Sequence, residues 1–159
     1  MDNDKTTSVQ KIMTPIPLEI ANPSTNVYDL AKQMKEKSKG AIIIVENQKG
    51  GITGRPAGII TERDIVRKVV ASSGDKDPRK ILASEIMSKP LISVGEDASI
   101  YDAALIMTKY AIRRLPIVRD NVLLGIITTT DLARCIYEKN KEDAVLKAMS
   151  RFSLLERTQ

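Results

Sequence analysis

The apolar residues of this chain fall into short continuous runs and into longer stretches with helical spacing. Residues 41–45 and 57–60 are runs of mostly β-branched side chains, a composition typical of strands that are covered on both faces. The segment between them, residues 47–55, is rich in glycine but lacks the lysine and hydroxyl residues that end a phosphate-binding Walker loop. We therefore predict two neighbouring strands joined by a long hairpin connection.

A helix is predicted before the first of these strands. Its apolar positions, which recur at helical spacing, are Val27, Leu30, Ala31 and Met34. Asn26 or Thr25 is expected to cap the start of the helix, and Gly40 to end it. Upstream, residues 9–13 are expected to form a short helical entry, and the prolines within residues 15–20 favour extended backbone.

The second half of the chain repeats this order of elements. The corresponding segments are residues 83–87, 91–94, 99–109, 115–118, 122–127 and 129–137. The sequence Gly-Ile-Ile-Thr-Glu-Arg-Asp that begins at Gly58 returns 67 residues later as Gly-Ile-Ile-Thr-Thr-Thr-Asp, beginning at Gly125. The Ile-Met-Thr that ends at Thr14 returns as the Ile-Met-Ser that ends at Ser88. Because the halves are similar, a ligand site in one predicts a counterpart in the other.

These patterns predict five segments along the chain. Residues 1–8 are expected to form a flexible tail, residues 9–70 a first repeat, residues 71–82 a linker and residues 83–137 a second repeat. Residues 138–159 are expected to form an amphipathic helix and tail, with an apolar stripe made of Val145, Ala148, Met149, Phe152 and Leu155. This stripe needs a covering surface, either on its own domain or on a partner subunit.

Composition narrows the classes of function. With 159 residues, of which 42% are hydrophobic, the chain can form one ordinary globular domain. It has no apolar run of the roughly 20 residues that a membrane span needs, so we expect a soluble cytoplasmic protein. The absence of histidine removes the commonest general base and metal ligand. We therefore expect neither an enzyme nor a metal site, and we expect the single cysteine, Cys135, to pack within a helix.

The charge balance favours an anionic partner. The net charge is +5 and the isoelectric point is near 9.3, so nucleotides, nucleic acids and acidic proteins are all candidates. One hypothesis is therefore a basic nucleic-acid-binding or transcription-linked regulatory protein. Against it, only 3% of the residues are aromatic and the basic residues are scattered among acidic ones, unlike the stacking platforms of single-strand binders.

The ordered set of motifs resembles a tandem pair of cystathionine-β-synthase (CBS) domains, often called a Bateman module. The resemblance covers about residues 9–137 and rests on the duplicated Ile-Met-Thr/Ser turn, a Tyr-Asp helix, the Arg-Arg-Leu-Pro-Ile-Val of residues 113–118 and the duplicated Gly-Ile-Ile-Thr-x-x-Asp. It implies an α/β (α+β) fold: two tandem β-α-β-β-α repeats packed about a pseudo-two-fold axis, plus a C-terminal helix. It also implies a regulatory homodimer, without a catalytic cofactor, that binds AMP, ADP, ATP or S-adenosylmethionine and signals to a separate effector protein.

The resemblance further implies two nucleotide-binding clefts, each of which combines residues of both repeats. The residues carried over to the first cleft are Thr61, Arg63, Asp64, Pro90, Leu91, Ile92, Ile112, Arg113 and Arg114. Those carried over to the second cleft are Pro17, Leu18, Lys39, Gly40, Ala41, Thr128, Thr130 and Asp131.

The Thr-x-x-Asp motif has two compatible interpretations. A carboxylate can accept hydrogen bonds from both ribose hydroxyls, and a threonine at a helix N-terminus adds a hydroxyl to backbone N–H groups that already favour phosphate. The same spacing before an apolar helical run is also that of a helix capping box. Thr61 and Thr128 would then satisfy backbone amides with no ligand present.

The two predicted clefts differ in charge. Arg113 and Arg114 have Gly40 and Ala41 as their counterparts, so we expect the first cleft to hold a phosphate more tightly. The alternative is a solvated arginine pair at the start of a strand. Glu62 lies inside the first motif and would repel a phosphate if it faced one.

Overall fold

The fold is that of a computed structural model, which describes residues 7–16, 18–46, 54–72, 74 and 76–141. The chain divides into two compact units. The central unit consists of Thr14–Glu96 and Leu115–Ile126, and the terminal unit of Met1–Met13, Asp97–Arg114 and Ile127–Gln159. Pro17, most of the predicted hairpin connection and nearly all of the predicted C-terminal helix lie outside the described residues.

The order of elements confirms the predicted mixed α+β fold and its duplication. In the first half a 3-10 turn (Val9–Lys11) precedes β1 (Thr14–Pro15), β2 (Ile20–Ala21), α1 (Val27–Lys37), β3 (Ala41–Glu46), β4 (Arg55–Thr61) and α2 (Glu62–Ile65), and α2 continues into a π-helical turn (Val66–Val70). In the second half are α3 (Ala83–Ile86), α4 (Ile100–Tyr110), β5 (Arg114–Arg119), β6 (Val122–Thr128) and α5 (residues 129–141). Among the described residues, no helix is long and apolar enough to cross a membrane.

One sheet of the central unit has the strand order β2-β3-β4, with β2 parallel and β4 antiparallel to β3. The antiparallel β3–β4 pair confirms the predicted hairpin. Ile42 and Ile44 of β3 belong to a buried cluster with Leu30 of α1, whereas Ile43 and Val45 pack with Leu123 of β6. The isoleucine run of β3 is therefore covered on both faces, as its composition predicts.

The second sheet has the order β1-β6-β5. In it, β1 of the first repeat pairs with β6 of the second. The equivalent contact of β4 is a single bridge between Ile59 of the first repeat and Ser88 of the second, with backbone N···O distances of 2.9 and 3.2 Å. A Cβ atom on the neighbouring Gly58 would lie 2.9 Å from both the Ser88 carbonyl oxygen and the Met87 sulfur. The glycine that opens the repeated motif therefore permits this close approach of two backbones.

The start of α1 is as predicted, but the predicted end is wrong. Asn26 caps the helix by accepting a hydrogen bond from the Asp29 amide at 2.9 Å. The helix ends at Lys37 and not at Gly40, because Ser38 takes the left-handed conformation at φ 52°. The Lys39 amide then donates to the Met34 carbonyl oxygen at 2.9 Å, which closes the helix before Gly40 is reached.

The predicted strand over residues 91–94 is also wrong. Only Val94 pairs, in a single parallel bridge with Ile117 of β5. Its amide donates to the Pro116 carbonyl oxygen at 3.0 Å, and its carbonyl oxygen accepts from the Val118 amide at 2.9 Å. Because the segment meets β5 at this one residue, no ladder forms along it.

The terminal unit joins the start of the chain to α4. The Val9 amide donates to the Ala98 carbonyl oxygen at 2.8 Å, and the Ile100 amide donates to the Thr7 carbonyl oxygen at 2.9 Å. Thr7 belongs to the predicted N-terminal tail, residues 1–8. Cys135 of α5 is buried, in agreement with its predicted packing role.

Candidate functional site

The first Thr-x-x-Asp motif lies where β4 turns into α2. One carboxylate oxygen of Asp64, Oδ2, accepts hydrogen bonds from the Thr61 amide at 2.9 Å and from the Thr61 hydroxyl at 2.7 Å. In return, the Asp64 amide donates to Thr61 Oγ1 at 3.2 Å. The motif therefore forms the reciprocal capping box that its spacing predicts.

The second motif, where β6 turns into α5, has the same geometry. Asp131 Oδ2 accepts from the Thr128 amide at 2.8 Å and from the Thr128 hydroxyl at 2.7 Å, and the Asp131 amide lies 3.3 Å from Thr128 Oγ1. Both repeats thus use one carboxylate oxygen for capping. A ligand could bind the other oxygen, Oδ1, without breaking the cap.

The two motifs differ at this second oxygen. Asp64 Oδ1 accepts from the Lys68 ammonium at 2.9 Å and from the Ser88 hydroxyl at 3.4 Å. The Lys68 ammonium also donates to the Ile86 carbonyl oxygen at 2.6 Å. Asp64 is thereby held between its own helix and the end of α3.

In the second motif, the ion pair formed among the described residues is longer. Asp131 Oδ1 lies 3.8 Å from Arg134 Nη1, which is beyond hydrogen-bond distance. Cys135 occupies the position that corresponds to Lys68 in the first repeat. The second motif therefore has a buried thiol at this position and not an ammonium group. The Asp131 side chain is 13% exposed and that of Asp64 is 16% exposed, so the two carboxylates differ in their partners and hardly in burial.

The surroundings of Asp64 favour its ionised form. Burial by itself would raise the pKa of this carboxyl, but hydrogen bonds from Lys68 and Thr61 outweigh burial and lower the pKa of Asp64 below its ordinary value. Asp64 is therefore a carboxylate at neutral pH, with acceptor oxygens only.

Lys68 and Ser88 are absent from the residues predicted for this site. An aspartate followed four residues later by a lysine on one helix is a signal that could have indicated the ion pair. Ser88 had no such signal, because its place beside Asp64 depends on the bridge between Ile59 and the segment after α3.

The predicted site residues are divided between the two units. Those in the central unit are Leu18, Lys39, Gly40, Ala41, Thr61, Arg63, Asp64, Pro90, Leu91 and Ile92. Those in the terminal unit are Ile112, Arg113, Arg114, Thr128, Thr130 and Asp131. Pro17 lies outside the described residues.

In each repeat, the residue that precedes the first strand of the antiparallel pair (β3 or β5) lies next to the start of the helix that follows the pair (α2 or α5). The Glu62 amide donates to the Gly40 carbonyl oxygen at 3.2 Å, and the Thr129 amide donates to the Arg113 carbonyl oxygen at 3.1 Å. The grouping of residues from different repeats into two clefts stays a prediction. Glu62 is exposed to solvent.

The central unit also contains an open cavity of about 330 Å³. Of the predicted site residues, Pro90 and Leu91 lie in its wall. The remaining lining residues are Glu46, Arg55, Pro56, Ala57, Ser93, Val118 and Asn121. Among the residues that the structure describes, no group of three or more His, Cys, Asp and Glu side chains could hold a metal ion.

Comparison with protein families identifies the repeats. The model of the CBS domain matches residues 9–71 and 83–138. The chain belongs to the CBS domain family. CBS domain pairs are regulatory ligand-binding modules, so the family accounts for the duplication and for the paired Thr-x-x-Asp motifs.

Four related proteins illustrate the likeness. The uncharacterized protein MK0525 of Methanopyrus kandleri is 43% identical over 112 residues, which are 70% of this chain and 54% of that protein. The chain thus spans about half the length of this curated relative, and 34% of the length of another, MJ1404 of Methanocaldococcus jannaschii. The solved CBS domain pair of protein MJ0100, in complex with 5′-methylthioadenosine and S-adenosyl-L-methionine, is 29% identical with a TM-score of 0.72, over 84% of this chain and 98% of that one. The hexameric CBS-CP12 protein from bloom-forming cyanobacteria is 34% identical with a TM-score of 0.69, over 80% of this chain and 71% of that one.

Proposed function

We propose that this protein is a regulatory module that binds adenine nucleotides, or related adenosine compounds such as S-adenosylmethionine, and passes the bound state to a partner protein. The observation that carries the proposal is the duplicated carboxylate at a helix N-terminus. Asp64 and Asp131 are each held by a threonine cap through Oδ2, and the second oxygen, Oδ1, takes no part in the cap. This oxygen suits a ribose hydroxyl, and the helix N-terminus suits an anionic group. Binding of two adenosine compounds by the CBS pair of MJ0100 supports the same class of ligand.

The proposal is that of a sensor and not of an enzyme. Its test is a thermal-shift series with AMP, ADP, ATP and S-adenosylmethionine, with GMP as the matched purine control. A ligand at about 100 times its dissociation constant adds roughly 2.7 kcal/mol to the free energy of unfolding, which gives a clear rise in Tm for a small protein. We expect at least one adenine compound to raise Tm more than GMP, and ATP to stay intact over hours. No shift with any of the four compounds would contradict the proposal.

The proposed module acts as a homodimer. The terminal unit exposes large apolar side chains on two helices, namely Tyr101, Leu105 and Tyr110 of α4 and Ile136 and Tyr137 of α5, which are 48–67% exposed. Exposed apolar surface of this kind favours association. The assembly of the related CBS-CP12 protein into a hexamer supports self-association, although not its stoichiometry.

Light scattering at micromolar concentration tests the dimer. We expect a mass of twice the 17.6 kDa of the chain. Leu105→Glu is expected to shift the mass toward the monomer because it places a charge in the apolar surface. Lys35→Glu, at an exposed position of α1 in the central unit, is the control; it introduces a carboxylate outside the apolar surface and should leave the mass unchanged. A monomeric parent protein would refute the dimer.

A further inference from the structure

The carboxylate of Asp64 is fully engaged in the absence of a ligand. Its Oδ2 accepts two hydrogen bonds from Thr61, and its Oδ1 accepts from Lys68 at 2.9 Å and from Ser88 at 3.4 Å. A carboxylate offers about four lone-pair sites. A diol that approaches Asp64 therefore finds each acceptor position already in use.

We propose that Lys68 competes with the ligand for Asp64 and thereby sets the ribose affinity of the first repeat below that of the second. This inference rests on the proposed function, because it concerns the same motif. A ligand with vicinal hydroxyls reaches Asp64 Oδ1 only when the Lys68 ammonium has left it. The second repeat has Cys135 at this position, so its Asp131 carries no equivalent competitor.

The Lys68 side chain is placed to act as a removable competitor. Its ammonium bridges Asp64 and the Ile86 carbonyl oxygen at 2.9 and 2.6 Å, which holds it on the carboxylate. At the same time the side chain is 41% exposed, so it can turn into solvent when a ligand arrives. The loss of an ion pair of this exposure reduces affinity but does not abolish it.

The neighbouring arginine does not share this role. Arg67 is exposed, and its counterpart Arg134 stays 3.8 Å from Asp131. Arg67→Met removes the same formal charge as Lys68→Met one residue away, and it therefore serves as the matched control for changes in overall electrostatics.

The experiment measures adenosine binding by calorimetry in an Asp131→Ala background, in which the first motif alone can bind through its aspartate. Lys68→Met is expected to tighten adenosine binding by roughly threefold to tenfold, in the range of a partly exposed ion pair with a hydrogen bond to a charged group. Lys68→Arg, which keeps a cation within reach of Asp64, and Arg67→Met are expected to bind as the background protein does. Lys68→Gln is a second uncharged variant, in case the methionine variant does not fold.

The outcomes separate this inference from the proposed function. An uncharged residue at position 68 that leaves adenosine affinity unchanged or weakens it, in a folded protein, overturns the role of Lys68 while the parent protein still binds. An equal gain in Arg67→Met also overturns it, because the effect would then be one of net charge. A parent protein that binds no adenosine compound at all refutes the proposed function as well.

Discussion

At the scale of single residues, the two aspartates of the repeated motif have a structural role and a proposed binding role at once. One oxygen of each carboxylate accepts hydrogen bonds from a threonine in a helix capping box, an arrangement that needs no ligand. The capping box leaves the other oxygen for further partners, which are Lys68 and Ser88 in the first repeat. Capping and ligand binding therefore do not compete for the same atom.

The capping role predicts a pH-dependent contribution of Asp64 to stability. The pKa of Asp64 is lower in the folded protein than its ordinary value, so its ionised form stabilises the fold above the unfolded pKa, near 3.9. This contribution is lost as the pH falls through the folded pKa. Asp64→Asn is expected to reduce the free energy of unfolding by about 1–2 kcal/mol at pH 7, and the difference from the parent should shrink toward pH 3.

Urea unfolding at pH 7, 5 and 3 measures this difference. Asp97→Asn is the control because Asp97 is exposed and the substitution removes the same charge. A deficit in Asp64→Asn that stays constant from pH 7 to pH 3, or one matched by Asp97→Asn, would show that the ionised cap is not its cause.

At the scale of elements, sequence patterns predicted the structure correctly where the residues of a short segment determine it. Asn26 predicted a cap because capping joins residues only a few positions apart. The isoleucine run of β3 predicted a strand covered on both faces because a continuous apolar run leaves neither face polar. The end of α1 at Ser38 was missed because a serine with positive φ is held there by the helix-closing hydrogen bonds. Residues 91–94 were wrongly predicted as a strand because the pairing of this segment depends on β5, which is distant in sequence and meets it only at Val94.

The same limit applies to the site. The Thr-x-x-Asp pairs were predictable because the residues of a capping box are three apart. The contact between Asp64 and Ser88 was not, since the two residues are brought together by the pairing of β4 with the segment after α3. Sequence spacing therefore identified the aspartates but not all of their partners.

The close approach of these two segments predicts the effect of a methyl group at Gly58. In Gly58→Ala the new Cβ would lie 2.9 Å from the Ser88 carbonyl oxygen and the Met87 sulfur, so one backbone must move. We expect a loss of about 1–3 kcal/mol in the free energy of unfolding. Gly95→Ala is the control, because nothing lies within 4 Å of its added Cβ, and it should unfold nearly as the parent does. Equal stability of the two variants in urea unfolding would contradict the close approach.

At the scale of the whole molecule, one duplicated fold carries two motifs with different charges. Lys68 in the first repeat corresponds to Cys135 in the second, and the Arg113-Arg114 pair of the second corresponds to Gly40-Ala41 of the first. The first difference makes Asp64 less available to a neutral nucleoside. The second difference predicts that the cleft with Arg113 and Arg114 prefers a ligand that carries a phosphate. This contribution of the two arginines stays a prediction. Duplication followed by such divergence would give one module two unequal ligand sites.

The measurement that tests the central claim most directly is calorimetry with adenosine and AMP on the parent, Asp64→Ala, Asp131→Ala and the double variant, with Asp97→Ala as the control. Each aspartate is proposed to hold the ribose hydroxyls, and a hydrogen bond to a charged group contributes about 1.5–3 kcal/mol, or roughly a tenfold to 150-fold change in affinity. We expect each single variant to lose one set of sites for both ligands, and the double variant to lose both sets while remaining folded. A folded double variant that binds adenosine and AMP as tightly as the parent would contradict the account.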